Sequence, residues 1–190
     1  MSEFAYSYSQ NDEEYELING QVYMMARPNT NHMTVETNIV TTFKNYLKGK
    51  SCRPFNETDV FLSDDTNVVP DVMIVCEPEI IKSDGIYGTP DLIVEIASPS
   101  TARRDRMEKF AVYEKYGVKE YWIVSPQEKR VEVYIRKDNK LVLDDVYSVY
   151  RDFEWKHLTE EQKSKVKQAI KVSLYDDFSV KLEDIFEDVT

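Results

Sequence analysis

Two carboxylate residues stand in stretches of sequence that are otherwise apolar. Asp71 opens the run DVMIV, and Glu95 lies inside the run LIVEI. A buried carboxylate is costly unless it is paired or bound to a metal ion. If the two runs are neighbouring strands, both carboxylates converge on one cation, which could polarise a phosphoryl oxygen and lower the pKa of a bound water. Lys109 follows on a predicted helix, and its ammonium could hold a phosphate or orient the attacking water.

These residues also have structural interpretations. Asp71 and Asp91 each follow a proline and precede a strand, so either could cap a turn. Glu95 could lie in water at a strand end, and Lys109 could pair with Asp105 at i,i+4 spacing. Asp91 and Glu95 occupy one strand with their Cα atoms about 13 Å apart, so they should not share one ion directly. We therefore prefer Asp71 with Glu95 and interpret Asp91 as structural.

Three further residues are candidates for the same site. His32 and Glu36 are spaced i,i+4 and so share a face of the first predicted helix. Tyr113 follows Lys109 by about one helical turn and could position it or a substrate. Packing in or near the core is the alternative for Tyr113.

Other enzyme classes lack their motifs. The five glycines form neither a G-x-G-x-x-G motif nor a P-loop, and no G-x-S-x-G elbow is present. Two histidines and two isolated cysteines provide no zinc-site spacing. Carboxylates remain, and they are ligands for Mg²⁺ rather than zinc. The predicted cofactor is therefore Mg²⁺, or Mn²⁺ in its place.

The charge distribution bears on the substrate. The net charge is −11, whereas nucleic-acid binding depends largely on neutralising phosphates with basic side chains. Residues 101–140 differ, with eleven basic and seven acidic residues, a net of +4. This segment suits a phosphate substrate, although a short basic stretch is more often a solvated surface. Its candidate substrate-binding residues are Arg103, Arg104, Arg106, Lys129 and Arg130.

The sequence favours a cytoplasmic protein without a membrane segment. Its apolar runs are far shorter than the roughly 20 residues of a membrane span, and its N-terminus MSEFAYSYSQ has no signal-peptide pattern. Cys52 and Cys76 are interpreted as reduced thiols in or near the core, because disulfides are rare in the cytosol, and a disulfide between them is the less favoured alternative.

The elements that would position these residues form an α/β (α+β) fold. Asn19-Gly20 between apolar stretches predicts an N-terminal β-hairpin. Caps at 29–31 and apolar residues at helical spacing predict a helix that stops near Gly49. The two apolar runs predict central strands buried on both faces, and the helix of Lys109 should span about 103–116.

We expect a single domain over residues 1–190. Residues 1–12 are interpreted as a flexible arm. Residues 154–172 are interpreted as a polar surface helix, with a capping box at Thr159-Glu160-Glu161-Gln162. A short last element, 182–186, would pack onto the domain.

Several segments together resemble the Uma-two family of restriction-endonuclease-like proteins, assigned to the PD-(D/E)XK nuclease superfamily. They are YELINGQVYMM, PDVMIVCEP and PDLIVEIASPSTARRDRMEKFAVYEKYGVKEYWIV. The resemblance covers roughly residues 15–150 and implies a central mixed sheet flanked by helices, with metal-dependent phosphodiester hydrolysis. The two acids of the family fall on Asp71 and Glu95. The superfamily lysine stands two residues after the second acid, where this chain has Ala97, and the DRMEK segment places it at Lys109 instead.

The leading hypothesis is an Mg²⁺-dependent DNA endonuclease. Asp71 and Glu95 would hold the ion, with a main-chain carbonyl near Ile96 as a third ligand, and a homodimer would be needed to cut both strands. The first alternative is a catalytically silent nuclease-like module that binds nucleic acid or protein, which the acidic charge and Ala97 favour. The second alternative is a hydrolase of small phosphodiesters or nucleotides.

Overall fold

A computed structural model describes residues 15–190 of the chain, so the predicted arm at 1–12 lies outside the described residues. The strands are β1 Tyr15–Ile18, β2 Gln21–Met24, β3 Arg53–Asn56, β4 Val60–Ser63, β5 Thr66–Val68, β6 Val72–Val75, β7 Leu92–Ile96, β8 Glu120–Ser125, β9 Arg130–Lys137, β10 Lys140–Ser148, β11 Ala169–Lys171 and β12 Ser179–Lys181. The helices are α1 Thr30–Leu47, α2 (the consecutive segments Ala102–Arg104, Asp105–Lys109 and Phe110–Tyr116), α3 Asp152–His157, α4 Glu160–Lys165 and α5 Leu182–Ile185. Over these described residues, no helix is long and apolar enough to cross a bilayer.

A six-stranded mixed sheet in the order β10-β9-β8-β7-β6-β3 forms the centre of the fold. Strands β7 and β8 are parallel, and the other neighbours are antiparallel. Helix α2 connects the parallel pair, since parallel neighbours need a crossover. Every residue of β6 and β7 is buried, as their continuous apolar runs predicted. The predicted mixed sheet flanked by helices is therefore confirmed.

The predicted N-terminal hairpin is confirmed. Strands β1 and β2 pair antiparallel around Asn19 and Gly20, whose φ angles of 49° and 79° are those that this dipeptide tolerates. The hairpin belongs to a second, four-stranded sheet in the order β2-β1-β5-β4. Strand β5, Thr66–Val68, was not predicted.

The core lies on both faces of the central sheet because side chains alternate along a strand. Val72, Ile74 and Val94 pack in one cluster with residues of α1 and the C-terminal elements. Met73 and Ile93 pack in the other cluster, with residues of α2, β1, β4 and β5. The first helix and the second helix thus contribute to opposite faces.

Both long helices lie where the sequence predicted them. The Asn29 side chain caps α1 by accepting a hydrogen bond from the His32 N–H at 3.0 Å, and the helix ends at Leu47, before Gly49. Helix α2 ends at Gly117, whose φ of 93° is left-handed. Its middle segment, Asp105–Lys109, is a π-helical turn that the sequence analysis did not predict.

The interpretation of the cysteines as reduced thiols is wrong, because Cys52 and Cys76 form a disulfide. Strands β3 and β6 pair with Arg53 opposite Val75. One step further along the same register, Cys52 faces Cys76. The two cysteines are 24 residues apart in sequence and are brought together by strand pairing. Their positions in the sequence alone therefore did not predict the disulfide.

The predicted surface helix at 154–172 is also wrong as a single element. Helix α3 ends at His157, the backbone of Leu158 is extended, and Thr159 starts α4 with the predicted capping box. The chain then forms β11, which pairs with β12 and buries Ile170. Ile170 and Val172 are both buried at the two-residue spacing of a strand, so this end of the segment has strand periodicity.

Candidate active site

Strand pairing brings Asp71 and Glu95 to neighbouring positions. Strands β6 and β7 pair antiparallel with Val72 opposite Val94, and one step further the same register sets Asp71 against Glu95. Side chains at directly opposed positions point to the same face, with their Cβ atoms about 4.5–5.5 Å apart. The two carboxylates therefore approach each other, as the sequence analysis required for a shared site.

Two contacts hold Asp71. Its Oδ2 accepts a hydrogen bond from the Ile96 N–H at 2.5 Å, which fixes the aspartate to the end of β7. Its Oδ1 lies 3.3 Å from Nε2 of His32, which α1 supplies near its N-terminus. Burial opposes protonation of His32, but the hydrogen bond and charge of Asp71 outweigh it and raise the pKa of the imidazole. His32 therefore contacts the site, whereas its helix neighbour Glu36 accepts from Asn56 Nδ2 at 2.7 Å.

Glu95 is only 3% exposed, and its contacts come from α2. Its Oε1 accepts from Lys109 Nζ at 2.9 Å and from the Tyr113 hydroxyl at 2.5 Å. Burial raises the pKa of Glu95, against the opposing effect of the Lys109 ammonium. Burial and the Glu95 carboxylate also raise the pKa of Tyr113, so its hydroxyl stays protonated and donates a hydrogen bond to the glutamate.

The π turn of α2 delivers two charged side chains to the interior. Asp105 and Lys109 are 2% and 4% exposed, while Met107 between them is 59% exposed. Burial disfavours the Lys109 ammonium, but the carboxylates of Glu16 and Glu95 outweigh this effect and raise the pKa of the lysine. Burial likewise raises the pKa of Asp105. π turns recur at functional sites in proteins.

Glu16 is a site residue that the sequence analysis missed. It lies on β1, is 1% exposed, and its Oε1 is 2.7 Å from Lys109 Nζ. The same oxygen accepts from the Val69 N–H at 3.0 Å. The sequence signal for Glu16 is weak. Glu16 and Ile18 lie on the same face of β1, and that face is the inner one only if the hairpin packs on the central sheet.

The three arginines proposed for substrate binding lie in different surroundings. Arg104 lines the cavity at the site, is 16% exposed, and lies over the Tyr23 ring. Arg103 is exposed and pairs with Glu108 at 2.7 Å. Arg106 pairs with Glu132 at 2.6 Å, outside the residues that line this cavity. Only Arg104 of this set faces the site.

The rest of the basic segment is engaged elsewhere. Lys129 donates to the Val189 carbonyl at 2.8 Å, and Arg130 pairs with Glu128 at 2.6 Å. Asp91 lies at the far end of β7 from Glu95, where it accepts from the Cys76 N–H and pairs with Lys119, each at 2.7 Å. These contacts agree with the structural interpretation of Asp91.

A single half-open cavity of about 320 Å³ joins these groups. Its acidic lining residues are Glu16, Glu57, Asp71, Glu95 and Asp105, and its basic ones are Arg27, Arg104 and Lys109, with His32 beside Asp71. Carboxylates thus outnumber the permanently charged bases by five to three, so the lining has excess negative charge when its carboxylates are ionised.

The donor set fits a divalent ion of the magnesium type. Within residues 15–190, no group of three or more His, Cys, Asp and Glu residues is arranged to hold a metal by itself. Mg²⁺, however, usually keeps several waters and binds through one or two carboxylates. Asp71 and Glu95 supply two such carboxylates in a cavity with excess negative charge, and Ile96 also lines it. The residues therefore fit Mg²⁺ or Mn²⁺.

Comparisons with known proteins show the family and the fold of the chain. Residues 1–161 match the model of the Uma2 family, described as "putative restriction endonuclease". An uncharacterized protein of Synechocystis is 32% identical over 130 residues, which cover 67% of this chain and 68% of that protein. The crystal structure of "a putative nuclease belonging to DUF820" from Anabaena variabilis superposes with a TM-score of 0.70 over 94% of each chain, at 19% identity. At that identity the superposition shows a shared fold.

Proposed function

Because the chain belongs to the Uma2 family of restriction-endonuclease-like proteins, we propose that it is a metal-dependent endonuclease that hydrolyses phosphodiester bonds of DNA. Asp71 and Glu95 would hold Mg²⁺ or Mn²⁺, and Lys109 would act on the scissile phosphate. One observation carries the proposal: two opposed carboxylates and a buried ammonium, 2.9 Å from one of them, line the same cavity.

The side chains of the site have separate tasks in this proposal. A bound divalent ion would polarise a phosphoryl oxygen and acidify a water molecule. Lys109 remains an ammonium because its raised pKa keeps the proton, so it stabilises developing negative charge rather than accepting a proton. His32 orients Asp71, and Tyr113 orients Glu95. Arg104 would contact a phosphate at the cavity mouth.

The test is cleavage of plasmid and single-stranded DNA with Mg²⁺ or Mn²⁺. We expect Asp71→Asn, Glu95→Gln and Lys109→Met each to lose about a hundredfold or more in rate, the scale of a lost transition-state contact. Asp91→Asn is the matched control, since it removes a carboxylate from the other end of β7 and should keep its rate. Wild-type protein that is folded, cleaves neither DNA and fails to bind Mn²⁺ would contradict the proposal.

The arginines give a second, independent test of the substrate. Arg104→Ala should weaken binding of an oligonucleotide about tenfold and reduce the slope of log affinity against log salt by about one, because one phosphate contact is lost. Arg103→Ala should change both quantities little, since Arg103 is exposed and paired with Glu108. Fluorescence anisotropy at several salt concentrations measures both. Equal effects of the two variants would argue against substrate in this cavity.

A silent binding module is the second candidate. It is favoured by Ala97 at the usual lysine position and by Glu95 Oε1, which already accepts two hydrogen bonds. Binding of DNA that is independent of metal, with no cleavage in either metal, would select this candidate. If DNA is the substrate, the protein would act in the cytoplasm, and cutting both strands would require two chains. Both statements remain predictions from the sequence.

A further inference from the structure

The lysine of the site is attached to a helix, and a second carboxylate outside the opposed pair holds it. In the superfamily pattern the lysine lies on the same strand as the second acid, which fixes its position through the backbone. Here that strand position is Ala97, and Lys109 reaches the site from the π turn of α2. A flexible four-carbon side chain on a separate element needs another contact to fix its ammonium.

Glu16 supplies that contact from the opposite side. Its Oε1 lies 2.7 Å from Lys109 Nζ, slightly closer than Glu95 Oε1 at 2.9 Å. Both partners are almost fully buried, at 1% and 4% exposure, so water screens the interaction weakly. The ammonium is therefore held between a carboxylate of the hairpin and a carboxylate of β7.

Glu16 is itself fixed by hydrogen bonding at one oxygen and makes no hydrogen bond at the other. Oε1 accepts from the Val69 N–H, two residues before Asp71. Oε2 is buried and makes no hydrogen bond within the described part of the chain, with Arg104 Nη1 at 3.9 Å. A buried carboxylate oxygen without a donor is costly in a purely structural residue, and Glu16 is one of the residues that line the cavity of the site.

We propose that Glu16 is a positioning residue that holds the Lys109 ammonium in place for the reaction and keeps it from binding Glu95 alone. Only the catalytic consequence of this inference rests on the proposed function. Without Glu16, Lys109 would have Glu95 as its nearest carboxylate, and its ammonium would no longer be fixed from the side of the hairpin. The hairpin would thus be part of the catalytic apparatus.

The matched pair of variants is Glu16→Gln and Glu114→Gln. Glutamine at 16 keeps an oxygen acceptor for the Val69 N–H but removes the charge that faces Lys109. Glu114 has the same kind of contacts, with Lys140 at 2.8 Å and the Leu141 N–H at 2.9 Å, but lies outside the residues that line the cavity. Glu16→Asp restores the charge and should rescue part of the loss.

The first measurement is independent of activity. NMR of ¹⁵N-labelled lysine reports the exchange of the Lys109 ammonium protons with water, and the signal is assigned by its loss in Lys109→Met. We expect exchange to quicken about tenfold or more in Glu16→Gln, the scale of one hydrogen bond to a charged group, because the ammonium loses the carboxylate that lies 2.7 Å from it. Glu114→Gln should leave the Lys109 signal unchanged. Unchanged exchange in Glu16→Gln would overturn the proposal.

The second measurement separates positioning from metal binding. Glu16→Gln should cleave DNA roughly ten- to a hundredfold more slowly, the cost of a misplaced catalytic group, while its Mn²⁺ affinity by calorimetry falls far less than that of Asp71→Asn, because Glu16 does not bind the ion. Mn²⁺ affinity reduced as far as in Asp71→Asn would make Glu16 a metal ligand instead and overturn the proposal. If wild type cleaves nothing, the proposed function fails, and the exchange measurement still decides whether Glu16 holds Lys109.

Discussion

Buried acids of the cavity differ in how fully their charge is compensated. Glu16 and Glu95 share the Lys109 ammonium. Asp105 differs, because within residues 15–190 its carboxylate forms no ion pair. Burial raises the pKa of Asp105, with Lys109 and a hydrogen bond from Thr101 opposing that effect. The ionised form of Asp105 is therefore a net cost to the folded state.

This cost predicts a pH-dependent gain in stability for Asp105→Asn. The folded-state pKa is raised, so the folded protein binds more protons than the unfolded chain between the two pKa values, and stability falls as pH rises through that window. At pH 7 the variant should melt about 2–4 °C higher, the effect of roughly 1 kcal/mol in a domain of this size. The gain should vanish at a pH below the unfolded-state pKa.

Thermal unfolding followed by circular dichroism at several pH values measures the effect. Asp64→Asn, at an exposed position, is the control and should change the melting temperature little at any pH. A variant that is less stable than wild type at pH 7 would show that the Asp105 charge is needed in the fold.

The site residues that could be predicted from the sequence are the charged residues whose neighbours in sequence are apolar. Asp71 and Glu95 interrupt apolar runs, and the structure places both in one cavity. Glu16 has no such contrast, because in β1 it alternates with Tyr15 and Leu17 and shares its face with Ile18. Which face is inner depends on the packing of the hairpin against α2, and that packing depends on contacts between residues far apart in sequence.

Elements were predictable where a local signal determines them. The Asn19-Gly20 turn and the Asn29 cap act within a few residues, and both elements lie where predicted. The prediction of one helix over residues 154–172 is wrong. The polar composition of this segment fits a helix, but its end forms strand β11 by pairing with β12. Pairing of β3 with β6 likewise brings the two cysteines together.

Loss of the disulfide should destabilise the protein without unfolding it. In the chain-entropy model, closing a loop of this length contributes roughly 3 kcal/mol. The bond also joins the edge strand β3 to β6, the strand that follows Asp71. We expect Cys52→Ala with Cys76→Ala, or reduction of the wild type, to lower the urea midpoint while the circular dichroism spectrum is kept.

Reduction of the double variant is the control, since it has no bond to lose. An unchanged urea midpoint after reduction of wild type would show that the thiols are unpaired in solution. The comparison matters for function, because a cytoplasmic protein would usually keep these thiols reduced.

At the scale of the whole molecule, the charge distribution disfavours binding of DNA, the proposed substrate. The chain has a net charge of −11, and most of its basic segment at 101–140 is paired with neighbouring acids. Electrostatic attraction of DNA should therefore be weak, so binding depends on the few cations at the cavity, Arg27, Arg104 and Lys109.

One candidate active site within residues 15–190 predicts that duplex DNA is nicked before it is cut. Supercoiled plasmid should first give open circles, and linear product should appear later, with a rate that rises more than linearly with protein concentration. Gel electrophoresis over a time course and a protein titration checks this. Linear product that forms without an open-circle phase, at a rate proportional to concentration, would show that one chain cuts both strands or that a stable dimer already exists.

The π turn of α2 has a consequence for its mutability. A π turn holds one residue more than an α-helical turn, so it is the form that a helix takes around a single inserted residue. Deleting the exposed Met107 would therefore restore regular α-helix and leave its two halves near their present orientation, with Arg104 and Lys109 spaced i,i+4 on one face. A deletion elsewhere in α2, from regular helix, would instead rotate the two halves relative to each other by about 100°. The site should therefore tolerate the loss of this one residue better than the loss of its neighbours along the helix.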